Sequence, residues 1–412
     1  MTALQRRTRH IGFFISVGVG LAILLVWWLG WFQGLEWKMF DTRFKIRGPI
    51  PHAEDVVIIS MDDASIEQIG RWPWERRVHA RLIDRLSRAG VKALAFDVFF
   101  SERDTRAPEN DAALIAATQR SRRVIHNSFF DNQTEKATLP LPPLRRGAAA
   151  VGTANVTPEI DGVLRKVPLR PKLSDDLPYP PLSLAIAQVF TGKSWGELVQ
   201  DLPVDENGEM LINWAGPYQV FPYIPYHYVL EAPIAELRAL LKDRACIVGF
   251  TATGLYDKTP TPFSPILPGV EVHAHAINNY INRNPMREEP RWLTPLLVPL
   301  FALALGVVLP RLSPWGSGAL AGGLLVAHFT AAQIVFSQLQ LWIHAVPHMV
   351  AIGGSFVGIL LYRFVTEERE KRQIKKTFGQ YVSPHVMEEI LSDPAKLALG
   401  GSRKMLTVLF SD

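Results

Sequence analysis

The sequence predicts an α/β extracytoplasmic domain, an α-helical membrane region of four transmembrane helices, and a helical cytoplasmic linker. Three observations carry that reading. Charge is unevenly spread: residues 293–362 hold one charged side chain, Arg311, and residues 11–32 hold none. Between those stretches, short apolar β-rich runs alternate with helical patterns. After residue 364 the chain turns into a charged, periodic tail. Hydrophobic residues make up 48% of the 412 and charged residues 20%, which excludes a mostly disordered chain. The single cysteine, Cys246, excludes an intramolecular disulfide framework and a cysteine-built zinc site. A net charge of +5 is what the positive flanks of membrane spans supply, so no nucleic-acid partner is expected.

Residues 1–10 form a short basic N-terminus with Arg6, Arg7 and Arg9. Residues 11–32 (IGFFISVGVGLAILLVWWLGWF) are long enough to cross a hydrocarbon core of roughly 30 Å at 1.5 Å per residue. The run exceeds a signal-peptide core, and no small-x-small cleavage site follows, so it reads as a retained anchor. Three further spans fit within 293–364, at 293–309, 316–336 and 345–364. The polar breaks between them are PRLSP at 310–314 and SQLQ at 337–340. Four spans put both termini on one side. Arg363, Arg369, Lys371, Arg372, Lys375 and Lys376 mark that side as cytoplasmic. Lys38, Arg43, Lys45 and Arg47 argue the other way, but large domains translocate largely regardless of charge. Residues 33–292 are then extracytoplasmic.

Within that domain, strands are expected at 55–61 (DVVIISM), 92–100, 123–130 and 245–249, with helices over 74–88 and near 109–118. Continuous apolar strands separated by helices imply parallel βαβ units. The Pro- and aromatic-rich stretch from about 150 to 230 reads as an irregular insertion with hairpins. Parallel sheets bind ligands beyond the C-terminal ends of their strands. Asp62 and Asp63 follow the first strand, Asp97 lies in the second, and Thr251, Thr253 and Asp257 follow the late one. Arg71 and Trp72, in the dense loop RWPW, could line the same cleft. Taken one at a time, each carboxylate is better explained as a helix cap or an arginine partner.

Other patterns carry less. Gly192-Lys193-Ser194 resembles the end of a phosphate loop, but Ala187 stands where the earlier glycine is needed and no strand precedes it. His273 and His275, at i and i+2, point apart on a helix and do not share a metal. His344 and His348 have Pro347 between them at a span entrance. Asn132 and Asn155 each begin a short glycosylation-acceptor pattern that chance often supplies. Asp161-Gly162 reads as a turn, and Cys246 as a packing residue in a buried strand.

In the tail, 365–403, Ile374, Phe378 and Tyr381/Val382 recur at helical spacing, suited to a parallel dimer partner. Pro384 starts a second short helix, and Asp393-Pro394 ends it. Residues 404–412 begin a short strand (MLTVLF) with Asp412 at its C-terminal end, where a carboxylate could hold a divalent metal against a phosphate.

With these residues in view, the chain resembles a membrane-bound class III adenylate cyclase carrying a CHASE-type-two extracytoplasmic sensor. The sensor resemblance rests on MFDTRFKIRG, VVIISMDDASI, GRWPWERRVHARLIDRL, KALAFDVFFSE, DGVLRKVPL, VGFTATGLYDKTPTPF and PGVEVHAHAINNYI. The cyclase resemblance rests on RQIKKTFGQYVSPHVMEEIL and LGGSRKMLTVLFSD. It implies a homodimer in a bacterial inner membrane, an external ligand of unknown identity, lipid contact, and ATP converted to cyclic AMP and pyrophosphate on two Mg or Mn ions. Asp412 would be one metal-holding aspartate. The other catalytic residues of the family would fall beyond it, so the 412-residue chain is expected to be inactive alone. Alternatives are the same sensor feeding a histidine or serine/threonine kinase, or a four-span transport or scaffold protein. The tail shows neither a phospho-acceptor helix nor a Gly-rich kinase loop, and the spans hold few ionisable groups.

Overall fold

The computed structural model describes residues 3–378 except 132–133, 135, 170–178 and 256, and also residues 407 and 410. Asp412, the second tail helix and the strand expected near 405–410 therefore lie outside the described residues. The chain divides into two compact units, one of Leu29–Leu293 with Ala327–Val346, the other of Met1–Trp28, Thr294–Val326 and Pro347–Asp412.

The first helix, α1 (Ala3–Trp28), stops short of the expected boundary at Phe32. Gly30 takes φ +75°, a left-handed turn that an α-helix cannot continue through. A helix not expected from the sequence follows, α2 (Gln33–Arg47). The sheet strands are β1 (Val56–Met61), β2 (Ala93–Phe96), β3 (Val124–Asp131), β4 (Lys136–Thr138), β5 (Ala150–Thr153), β6 (Tyr223–Pro225) and β7 (Ala245–Phe250). They are connected by α3 (Asp63–Ile69), α4 (Arg76–Ala89), α5 (Pro108–Ser121), α6 (Leu182–Thr191), α7 (Tyr226–Glu231) and α8 (Ile234–Leu241), and α9 (Gly269–Asn282) follows β7. The last three helices are α10 (Leu293–Val308), α11 (Pro314–Leu339) and α12 (Ala345–Phe378).

The sheet runs β4-β3-β2-β7-β1-β6, with β5 also on β3. All its pairings are parallel except β3 with β4. The expected α/β class and its parallel core strands are present. Period-two alternation sorts the strand residues onto two faces. Val57, Ile59, Leu94, Phe96, Cys246 and Val248 pack under α4, α5, α7 and α8. Val56, Ile58, Ala93, Ala95, Ala245 and Ile247 pack under α6 and α9. The far sides of α6 and α9, through Leu184, Ala187, Val272 and Ala276, meet α2 and the end of α11. This unit is thus four layers deep, and α2 lies in the layer that holds Phe336 and Trp342. The insertion does hold a hairpin-like pair, but a long-range one, Lys166–Pro168 against Glu209–Leu211.

Four helices are long and apolar enough to cross a membrane: Ile11–Trp28, Leu293–Arg311, Pro314–Leu339 and Ala345–Thr366. The second unit holds the first, second and last of these and the first half of the third, and α1 and α10 pack closely there. A Cβ on Gly306 would lie 2.8 Å from the Ser16 side chain, so only glycine permits the approach of α10 to α1. Arg363 donates to the carbonyls of Leu309 and Leu312 at 3.0 and 2.9 Å, satisfying the turn between α10 and α11.

Candidate functional site

The chain leaves β1 and β2 toward α4 and α5 on one face, but leaves β7, which lies between them, toward α9 on the other. Adjacent strands whose following helices depart to opposite faces open a crevice at their C-terminal ends. Here there are two, flanking β7, and most of the sequence-predicted residues fall into them.

On the β2 side stands Asp97, directly after the strand. Its amide donates to Val248 O at 2.8 Å, and Asn127 Nδ2 donates to its Oδ1 at 2.9 Å. Burial raises the Asp97 carboxyl above the usual carboxylate range; the facing His273 opposes the rise and Asp257 adds to it. Burial in turn lowers the His273 imidazole, against the pull of Asp97. His273 reaches this point because α9 starts hard against β7: a Cβ on Gly249 would lie 2.6 Å from Val270. Two carboxylates, one imidazole and one carboxamide thus converge. Asn127 and His273 are the members that sequence reasoning missed. Only the placement of Asn127 late in a strand hinted at it.

On the β1 side, Asp62 caps α3, its Oδ1 accepting from Ser65 N at 2.8 Å. Asp63 is exposed and accepts from the backbone and hydroxyl of Thr253, both at 3.1 Å. Asp62 thus fills the capping role that the sequence left open, whereas Asp63 meets a threonine and not the arginine expected as its alternative partner. Trp72 packs edge-on against Phe250, the last residue of β7, with ring centroids 4.9 Å apart. Trp74 turns into the core and donates to Gly70 O at 2.7 Å. Arg71 is exposed, and no hydrogen bond or ion pair among the described residues joins it to either crevice.

The other patterns resolve structurally. Gly192 closes α6 at φ +73°, and Ser194 forms a capping box with Glu197, so the phosphate-loop likeness is a helix–helix junction. His275 is fully buried; its Nδ1 accepts from Ala215 N at 3.1 Å, away from the surroundings of His273. His344 precedes α12 and pairs with glutamates, while His348 meets the Thr294 hydroxyl at 3.3 Å. Asn155 brackets the Phe130 backbone with its carboxamide. Burial pushes the Cys246 thiol up to about 12, which leaves it unreactive. Among the described residues no group of three or more His, Cys, Asp and Glu side chains is placed to hold a metal ion.

Comparisons with curated proteins and with solved structures return no match. The family model described as the CHASE2 domain matches residues 18–309, well over half of the chain, and covers the whole sheet and both crevices. By that match, the chain belongs to the CHASE2 domain family.

Proposed function

We propose that the protein is a transmembrane receptor whose CHASE2 domain takes a polar ligand in the crevices flanking β7 and passes the signal to a cytoplasmic tail. The observation that carries the ligand reading is the convergence of Asp97, Asp257, Asn127 and His273 at a topological switch point. Two carboxylates there favour a ligand presenting hydroxyl or amine donors. Membership of a family of extracellular sensor domains supports the receptor reading. Support for the topology comes from Arg43 and Arg47. Arg43 is fully buried, and Arg47 donates to Asn213 and to the Trp214 carbonyl. These charges are used inside the folded domain, so they do not compete with the basic tail as orientation signals.

The output is proposed to be a class III adenylate cyclase acting as a homodimer on ATP with Mg or Mn, at the inner membrane of a bacterium and with both termini cytoplasmic. The stretch RQIKKTFGQYVSPHVMEEIL…LGGSRKMLTVLFSD supports it. Asp412 would hold metal there. The described residues offer no second ligand, so no chemical step is derived through the ions. The test is cyclic AMP formation from Mn-ATP in membranes holding the protein as its gene encodes it, beside Asp412→Ala and Asp97→Asn versions. Activity lost in Asp412→Ala supports the cyclase, and activity that no longer follows the external medium in Asp97→Asn supports the cleft. Equal activity in all three overturns both.

A further inference from the structure

Away from the crevices, a second group of ionisable side chains gathers where α2 meets the connection between α11 and α12. Glu36 and Arg43, seven residues apart, share one face of α2 and are 5% and 0% exposed. Glu36 Oε1 accepts from Val346 N at 2.6 Å. Val346 is the second residue of α12, and its amide is one of the four that a helix start leaves without an intrahelical partner. Arg43 Nη1 donates to Ile343 O at 2.9 Å, and Gln333 of α11 donates to Arg43 O at 3.1 Å. From a third segment come Glu288 and Glu289. The His344 ring nitrogens lie 3.1 Å from Glu288 Oε1 and 3.6 Å from Glu289 Oε1, and the His344 amide donates to Glu289 Oε2 at 3.2 Å. Arg287 and Glu288 pair with Leu341 and Trp342 as a two-residue parallel ladder, and Trp342 stacks on Trp37 of α2 at 4.7 Å. His328 of α11 also faces Arg43.

Three carboxylates here face one guanidinium and one imidazole; Glu36, Glu289 and Arg43 are buried, and Glu288 stands at the exposed rim. The group is neutral only when it holds two protons, one on Glu36 and one on His344. Glu36 Oε2 is buried and takes no hydrogen bond, as are Arg43 Nε and Nη2, so a full charge on Glu36 is poorly solvated. A protonated Glu36 still accepts the Val346 bond through its carbonyl oxygen.

We propose that this cluster is a proton-operated latch. With protons on Glu36 and His344, the segment up to Val346 is held against α2; their loss leaves like charges facing one another and releases the 340–346 connection. The titration range agrees. Burial pushes the Glu36 carboxyl up to about 7, against the pull of His344 and Arg43. Burial acts to lower the His344 imidazole, but the bond to Glu288 and the charges of Glu289 and Glu36 outweigh it and leave the group raised. The latch is therefore closed in mildly acidic surroundings and opens as pH rises through neutrality. α12 is the helix that continues toward the tail, so a signalling use for the latch rests on the receptor reading above; the latch itself does not.

Hydrogen exchange of the full chain in lipid nanodiscs tests it, at about pH 6 and about pH 8.5 after correction for intrinsic rates. Segment 340–350 is read against β1 and β7 as internal references. Protection of 340–350 is expected to fall roughly tenfold or more at the higher pH with the references unchanged. Glu36→Gln, which cannot ionise, should keep that protection. Unchanged protection in the parent overturns the latch, as does a Glu36→Gln protein that loosens as much as the parent. If the references show that Glu36→Gln does not fold, His344→Gln replaces it and should be loose already at the lower pH; a His344→Gln segment as protected as the parent's overturns the latch. Neither ligand nor cyclic AMP enters this readout, so its failure leaves the receptor reading untouched, and a failed cyclase assay leaves the latch untouched.

Discussion

Helix α2 carries two buried charge clusters built in opposite ways. On one face, Asp41 meets Arg165, which is fully buried and also grips Asp161. The guanidinium makes forked bonds to both carboxylates, at 2.8 and 2.7 Å to Asp41 and 2.9 and 2.7 Å to Asp161, and lies over the Trp37 ring at 4.7 Å. On another face stands the Glu36–Arg43–His344 cluster, where buried oxygen and nitrogen atoms lack hydrogen bonds. Burial acts against the charge of Arg165, yet the bonds to Asp41 and Asp161 outweigh it and leave the group raised; burial wins at Glu36. Desolvated charges thus stay ionised where every polar atom finds a partner and titrate near neutrality where some do not. The first arrangement fastens α2 to the Asp161–Arg165 segment through a cation that stays charged. The second ties it to the Ile343–Val346 segment, which we propose holds only while protons remain.

The largest expected effect breaks the permanent fastening. Arg165→Met leaves Asp41 and Asp161 facing each other without a cation, and unfolding by heat or urea should show a loss of about 3–5 kcal/mol. Arg165→Lys should recover little, because an ammonium cannot fork to two carboxylates at once. A loss below about 1 kcal/mol for Arg165→Met would mean that the two clusters do not differ as described.

Next comes the pH dependence. Glu36 rises from an ordinary 4.5 to about 7, and so does Glu271, which is buried beside Tyr223 in the same unit. At these two positions the native state holds more protons than the unfolded chain between those limits, whereas the buried imidazoles of His79, His126 and His275, lowered to about 3, act in the opposite sense. The contribution of each glutamate to stability is therefore fully present below about 4.5 and is lost as pH climbs through about 7. Each group accounts for roughly 3 kcal/mol over that window. In the difference between parent and variant curves of unfolding free energy against pH, Glu36→Gln should remove one such contribution, and adding Glu271→Gln a second of similar size. A parent that does not lose stability relative to the double variant between about pH 4.5 and about 7 would refute both assignments.

How far the sequence could have led to this comparison depends on distance along the chain. The parallel strands were legible because apolar runs with turn residues at their ends are local signals. β1, β2, β3 and β7 fall within a few residues of their expected bounds. Asp62 was legible as a cap for the same reason. The clusters on α2 were not. Arg43 reaches Ile343, three hundred positions away, and nothing near Arg43 tells a solvated flank from a buried partner. His273 was weighed in the sequence only against its neighbour His275. That argument concerned two neighbours on a helix, and could not reveal that Asp97, from a distant strand, faces it.

Asp97 offers a smaller test of the same rule. Like Glu36, it is a carboxyl raised by burial with one good hydrogen bond, here from Asn127. Asp97→Asn removes the desolvated charge and keeps the shape, so thermal stability at neutral pH should rise while any response to the external medium is lost. A variant less stable than the parent at neutral pH would place Asp97 with Arg165, among the charges the fold requires.

The smallest effect concerns Asp62, two residues beyond the β1 interior. It makes the single bond of a helix cap, Oδ1 to Ser65 N at 2.8 Å, at the start of a seven-residue helix. Asp62→Ala frees one backbone donor near solvent and should cost about 1 kcal/mol, with Asp62→Asn restoring most of it because a carboxamide oxygen accepts the same bond. That rescue separates the geometric role from the electrostatic one. Rescue by Asn at Asp62, but none by Lys at Arg165, would show that α3 needs an acceptor at its start while α2 needs a cation held in a fork. If Asn fails at Asp62, the negative charge itself matters beside β7, and the residue joins Asp97 as part of the cleft instead of serving only as its scaffold.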